Sequence, residues 1–214
     1  MRYPLRSLTL ATALLAAAGA CADSTGGGGG GTPPDQLTYL TLPDTAPALC
    51  ADSTGGWAVK DPNAQDFEIA LEFPESGDPA DCLGGQTEDF IRLKIEKLAL
   101  LRRPDGTLIS NGDSVFISVK WVGSDSILFD LEPSGLTFDP AKPADLKIEY
   151  GELGDDLDGD GDSDADDDDI EQRIDIWRQA EPGDPFVKVG TAKLEDENEI
   201  EAKLNGFSRY AIAY

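Results

Sequence analysis

The chain has 214 residues and a formal charge of −25, from 17 basic and 42 acidic side chains with no histidine. That length accommodates one domain of about 150–200 residues or two small ones. A body this acidic excludes nucleic acid as a partner and is repelled by anionic lipid headgroups, while a hydrophobic fraction of 40% excludes wholesale disorder.

Residues 1–20 read as an export leader. Arg2 and Arg6 form a charged start, and Leu8–Ala20 is an apolar run too short to span a bilayer as a mature helix. The run ends in Ala18-Gly19-Ala20, directly before Cys21. This junction resembles a bacterial lipoprotein leader, where small residues precede a Cys; Ala18 stands where that family most often has Leu. The resemblance implies that the Cys21 thiol is diacylated, that the leader is cut off before it, and that the new N-terminus is acylated. Two or more acyl chains anchor stably where a single chain does not. Ala22, rather than Asp, follows Cys21, which by that family's sorting habit implies an outer membrane or cell surface. The competing reading is an ordinary secretory leader cut after Ala20. Loss of the leader takes the charge to −27, because Arg2 and Arg6 leave with it.

Residues 21–35 combine the lipidated Cys with a tether. Six consecutive glycines from Gly26 are followed by Thr32-Pro33-Pro34, and as a coil Ala22–Asp35 reaches about 20 Å. No Lys-Ser or Lys-Thr follows the glycines, so they do not form a phosphate-binding loop.

The folded domain is expected over 36–214, as short strands separated by Pro, Gly and Asp. Gln36–Leu42 alternates weakly. Cys50 and Cys82 follow in polar, loop-like surroundings; in an oxidising compartment they are expected to pair, closing a loop of about 30 residues for about 3–4 kcal/mol. The competing reading is two buried free thiols. Asp66–Phe73 alternates with Phe67, Ile69, Leu71 and Phe73 on one face. Asp89–Leu101 reads as one longer strand with Ile91, Leu93 and Ile95 on one side, before the turn signal Pro104-Asp105-Gly106. Ser114–Val122, Ile127–Leu131, Asp145–Tyr150, Arg173–Arg178, Phe186–Val189, Glu199–Leu204 and Ser208–Tyr214 complete the set. The pattern predicts an all-β fold, an antiparallel Greek-key sandwich of immunoglobulin-like type.

In the C-terminal half, Glu132-Pro133-Ser134-Gly135-Leu136-Thr137-Phe138 leads to Ala144-Asp145-Leu146-Lys147-Ile148-Glu149-Tyr150, and Gly206-Phe207-Ser208-Arg209-Tyr210-Ala211 closes the chain. These motifs resemble the β-sandwich domain named after zonula occludens proteins and netrin receptors, in its bacterial cell-surface form. The likeness covers roughly 114–214; the Gly-rich opening of that family's pattern is missing. It implies a module for binding or structural support. Some members of that family cleave themselves at His-Phe-Ser. Here Gly206 takes the His position and the chain has no His at all, so the base a Ser nucleophile needs is lacking there, and Phe207 and Tyr210 read as core residues of a closing strand.

Asp155–Asp169 holds ten Asp in fifteen residues, a density that repels itself unless a cation sits among the carboxylates. Calcium loops of EF-hand type take oxygens from positions 1, 3, 5, 7, 9 and 12 of twelve residues, with Gly at position 6. Starting at Asp156 puts Asp156, Asp158, Asp160, Asp162, Asp164 and Asp167 at those positions and Gly161 at the turn, with Asp162 giving its backbone carbonyl. Hard oxygen donors alone suit Ca²⁺. The loop resembles those of dockerins, although Ser163 replaces the Ile or Val that pairs with a second loop. It is expected as a solitary insertion in a hairpin, with a helix of one or two turns behind it. The competing reading is an unliganded, solvated acid tract.

The leading functional expectation is therefore a non-enzymatic, lipid-anchored envelope protein, a binding or structural sandwich with a Ca²⁺ site and a protein or polysaccharide ligand. Trp57, Trp121 and Trp177 are expected in the core, with a ligand-binding face as the alternative. The other class is an envelope enzyme, a carboxylate-dependent hydrolase or a self-processing domain. Acidic pairs such as Glu68 and Glu72 read as a solvated strand face, and no nucleophile motif or cofactor fingerprint supports catalysis.

Overall fold

Strands with one apolar face must bury that face against another layer, and here two antiparallel sheets do so. A computed structural model of the chain describes residues 30–43, 45–151, 154, 156–158, 160, 162–194 and 198–214. The strands are β1 (Ser53–Val59), β2 (Phe67–Pro74), β3 (Thr87–Ile95), β4 (Leu100–Arg102), β5 (Ser114–Trp121), β6 (Leu128–Glu132), β7 (Thr137–Phe138), β8 (Ala144–Glu149), β9 (Asp175–Gln179), β10 (Phe186–Lys188), β11 (Thr191–Leu194), β12 (Glu199–Leu204) and β13 (Arg209–Ala213), with one helix, α1 (Ala165–Arg173), between β8 and β9. One sheet runs β1-β5-β6-β13-β9-β10 and the other β11-β12-β8-β3-β2; β4 and β7 form a small ribbon. The chain crosses between the two main sheets repeatedly, so the fold is an all-β sandwich with non-sequential neighbours, as the strand pattern predicts.

The core forms where the two alternating faces meet. Val115, Ile117, Val119, Phe129, Leu131, Ile176, Tyr210 and Ile212 come from the first sheet; Leu71, Phe73, Ile91, Leu93, Leu146, Ile148, Ile200 and Leu204 come from the second. A smaller cluster lies apart, where Leu37, Trp177, Phe186, Ala211 and Ala213 are buried with Tyr39 packed against them. The segment expected as a strand over Gln36–Leu42 begins as a 3-10 turn at Pro34–Gln36. It then wedges against the ends of β6 and β13: the Leu40 N–H donates to the Ile212 carbonyl at 2.9 Å, and the Leu40 carbonyl accepts from the Ile127 N–H at 2.8 Å.

Four further expectations change. The strand expected over Asp89–Leu101 is two strands in different sheets, because the chain turns at Glu96–Ala99 and Leu98 adopts φ 68°. Arg173 ends the helix instead of opening a strand. The acidic stretch does not interrupt a hairpin: β8 pairs with β3 and β12, while β9 pairs with β10 and β13, so the stretch carries the chain from one sheet to the other. Of the three tryptophans expected in the core, Trp177 is buried and Trp121 partly so, but Trp57 is 64% exposed.

Cys50 and Cys82 form a disulfide across 32 residues with a Cα–Cα distance of 5.3 Å, so they are not free thiols. The bridge fastens the start of the domain to the far end of β2, where the Cys50 N–H also donates to the Glu72 carbonyl at 2.9 Å. Cys21 and the rest of residues 1–29 lie outside the described residues.

Candidate metal site

Helix α1 organises the acidic loop. Asp164 is its N-cap: the Asp164 Oδ1 accepts from the Asp166 N–H at 2.7 Å, and Asp167 reaches back so that its Oδ2 accepts from the Asp164 N–H at 2.9 Å. This is a capping box built from two aspartates, and Asp166, Asp167 and Asp168 place negative charge on the positive end of the helix. Arg173 sits in the last turn, with its Nε donating to the Asp169 carbonyl at 3.0 Å and its guanidinium 5.2 Å from the Tyr214 ring centroid. On the inner side Ile170 and the C-cap Ile174 enter the main core, and Leu157 packs against it. The Tyr150 hydroxyl donates to Glu171 Oε1 at 3.1 Å. A cleft of about 120 Å³ lies between loop and body, lined by Tyr150, Leu157, Ser163, Asp167 and Glu171 among others.

Asp167 is the hub. It is only 4% exposed, and its Oδ1 accepts from the N–H groups of Leu157 at 2.6 Å and Asp158 at 3.2 Å. One side chain thereby ties the start of the loop to the start of the helix. Smaller turns fill the span between: Asp158 Oδ1 accepts from the Asp160 N–H at 3.0 Å, and Asp160 Oδ1 from the Asp162 N–H at 3.2 Å.

Of the six expected ligands the structure brings three together: Asp156, Asp158 and Asp167 each offer a carboxylate oxygen, all within 4.8 Å of one another. Oxygens on opposite sides of one calcium ion stand about 5 Å apart, at 2.3–2.6 Å from the ion, so this spacing fits a shared cation. An ionised carboxylate has about four acceptor positions. Three hydrogen bonds from described residues leave Asp167 at most one, so it does not have the two that position 12 usually supplies. Asp160, Asp162 and Asp164 fall outside the convergent group and are exposed, and Asp164 is occupied as the helix cap. Asp162 was expected to offer only its carbonyl. Gly161 lies outside the described residues.

The electrostatics follow the geometry. Asp167 is held below the usual carboxylate range, first by the Asp164 N–H and then by those of Leu157 and Asp158, against the cost of desolvation. The Asp160 N–H acts to lower Asp158 too, but desolvation and the neighbouring carboxylates of Asp160, Asp167 and Asp156 outweigh it and raise that carboxyl. Desolvation and the neighbouring carboxylates thus both weigh on Asp158.

Sequence reasoning missed the capping role of Asp164 and the hub role of Asp167. The signal was present: an Asp three residues before another acid, at the head of a helix, is the spacing of a capping box. Elsewhere, Glu68 pairs with Arg92 at 3.8 Å on the outer face of β2, and Phe207 and Tyr210 are buried in the core. No family model, no curated protein and no solved structure matches the chain.

Proposed function

We propose that the chain is a non-enzymatic, lipid-anchored β-sandwich of the bacterial outer membrane or cell surface, a binding or structural module whose acidic loop holds Ca²⁺. The observation that carries the calcium part is the convergence of Asp156, Asp158 and Asp167 on one point. Half-buried Asp156 and exposed Asp158 would supply oxygens from the loop and buried Asp167 one from the helix, and a calcium ion would cancel their mutual repulsion. The leader over residues 1–20 and the Cys21 that follows it support the anchor, and the motifs within 114–214 support kinship with the zonula occludens/netrin-receptor sandwich. Extracellular calcium modules bind at about 10⁻⁴–10⁻³ M. At millimolar calcium this stabilises the fold by about 0.4–1.4 kcal/mol, or about 1–6 °C in melting temperature for a body of this size.

The test is a calcium titration by calorimetry with parallel melting curves in calcium and in chelator. Wild type is expected to bind one ion and melt higher in calcium, and Asp158→Asn to lose both effects. Melting curves that superimpose in the two conditions, with no heat of binding, would end the metal reading. The anchor is tested separately, by incorporation of labelled palmitate that disappears in Cys21→Ser.

A further inference from the structure

Strand β1 is an edge strand with no charged residue in its seven positions, Ser-Thr-Gly-Gly-Trp-Ala-Val. Its outward row pairs with that of β5 so that Trp57 stands opposite Phe116. Both rings face solvent, at 64% and 50% exposure, and Val59 beside them is 40% exposed. The rings meet at 71° with centroids 5.5 Å apart, which makes a floor and a wall. Phe116 is the floor: it lies across β1 at Gly55, where a Cβ would stand 2.9 Å from the ring and 2.8 Å from the Ile117 carbonyl. A side chain at residue 55 would lift the ring, so the glycine keeps it flat. The next outward positions are polar. Ser118 faces Gly55 on one side and pairs with Glu132 of β6 on the other. Glu132 is exposed, and its Oε2 accepts from the Ser134 N–H at 2.6 Å, which fixes the carboxylate beside the shelf.

Several occupants fail on size and charge. At 150–250 Å² per aromatic side chain the exposed apolar surface totals about 300 Å², well short of the roughly 800 Å² per partner of a stable protein interface. A chain of charge −25 repels nucleic acid, acidic polymers and anionic lipid surfaces. What remains is a small uncharged ligand with one apolar face and a rim of hydroxyls. Sugar rings have that form: their axial C–H bonds carry slight positive charge and stack on the electron-rich face of an aromatic ring, and their hydroxyls donate to a carboxylate or exchange hydrogen bonds with a serine.

We propose that Trp57 and Phe116, with Ser118 and Glu132 at the margin, form a binding site for a neutral glycan. The proposal deepens the binding-module reading and is independent of the acidic loop. A flat calcium titration would leave it standing, and glycan binding is to be measured in chelator.

The experiment is calorimetry of the full chain against cellohexaose, laminarihexaose and hexa-N-acetylchitohexaose, with sedimentation in parallel. One of the three is expected to bind with millimolar or better affinity. Trp57→Ala and Phe116→Ala are expected to weaken that binding about tenfold or more, the scale of one lost aromatic stacking contact. Leu83→Ala, which removes an apolar side chain exposed elsewhere, is expected to leave it unchanged. Trp57 is on the surface, so its substitution leaves the fold intact, and a melting curve checks this. Binding of none of the three sugars, or binding that Trp57→Ala leaves unchanged, overturns the proposal. So does a concentration-dependent dimer that Trp57→Ala abolishes, which would give the shelf to a second copy of the chain.

Discussion

Ile170→Ala tests whether the acidic loop is mechanically joined to the core. Helix α1 has nine residues, fewer than the roughly 12–15 an isolated helix needs in water. Its N-cap contributes about 1 kcal/mol, so tertiary packing through Ile170 and Ile174 must hold it in place. A buried Ile→Ala change costs about 2–5 kcal/mol; Ile170 lies at the margin of the core, on the crossover between the sheets, so the lower part of that range applies, about 2–3 kcal/mol. For a body of this size the melting temperature then falls by about 4–12 °C. The loss exceeds the contribution of the cap, so the helix should fray. Asp167 lies one turn earlier on the same helix, and fraying would pull it from Leu157 and Asp158. The expected result is a lower melting temperature together with loss of the calcium-dependent rise. Val119→Ala, fully buried in β5, is the control: it should also lower the melting temperature yet retain the calcium effect. An Ile170→Ala protein that melts lower but keeps the full calcium shift would refute the coupling. One that melts as wild type would refute the anchoring role itself.

Three further outcomes follow from the structure. Reducing the Cys50–Cys82 bond, which closes a loop of 32 residues, should lower stability by about 3–4 kcal/mol on the chain-entropy estimate, read from urea denaturation with and without reductant. Glu199 is almost fully buried and pairs with Lys147, which also holds Glu149. Lys147→Met strands a buried carboxylate, a change that costs about 3–5 kcal/mol at full burial and about 2–3 kcal/mol here, since the lysine is one-fifth exposed; Lys147→Met with Glu199→Leu should recover most of that loss in the same assay. Burial raises the Tyr210 hydroxyl above its ordinary value of 10.0, against smaller opposing effects of Ser208 and Arg178. The unfolded chain therefore releases that proton first. The stability Tyr210 contributes is complete below about pH 10 and lost as pH rises through the higher folded value, so alkaline denaturation curves should decline above pH 10, and less steeply in Tyr210→Phe.

Much of the fold was legible because one-face burial writes a two-residue period into the chain. In β5 and β8 the buried positions are the alternating apolar ones, and β12 follows the same period from Ile200 onward. Strand β1 was not legible: Ser-Thr-Gly-Gly shows no alternation, and the segment is extended because all seven residues pair with β5. The break between β3 and β4 was also hidden. No Gly or Pro marks it, and the apolar run continues through a turn in which Leu98 takes a positive φ. In the acidic loop the density of Asp and the position of Gly161 set only an expectation, a cation held in one register. Composition alone does not separate carboxylates that converge from those that cap or turn the backbone. That division depends on where α1 begins, since Asp164 and Asp167 face each other only once the helix starts at Ala165.

The positions of tether, loop and aromatic shelf bear on one another. The described chain enters the sandwich at Thr32, which bridges to Phe186 on β10. In the first sheet β10 and β1 are opposite edges, five strand spacings apart, or about 24 Å. A lipid anchor at Cys21 would pull on the β10 edge. The β1 edge, with Trp57 and Phe116, would then point away from the bilayer, where an uncharged polymer outside the membrane is reachable. The acidic loop lies on neither edge strand; it joins β8 near the middle of one sheet to β9 in the other. A cation there would brace the crossover between the layers without touching the shelf. Calcium should therefore change melting temperature and leave glycan affinity unaltered. Were the two effects to rise and fall together across Asp158→Asn and Trp57→Ala, this separation of brace and binding face would be wrong.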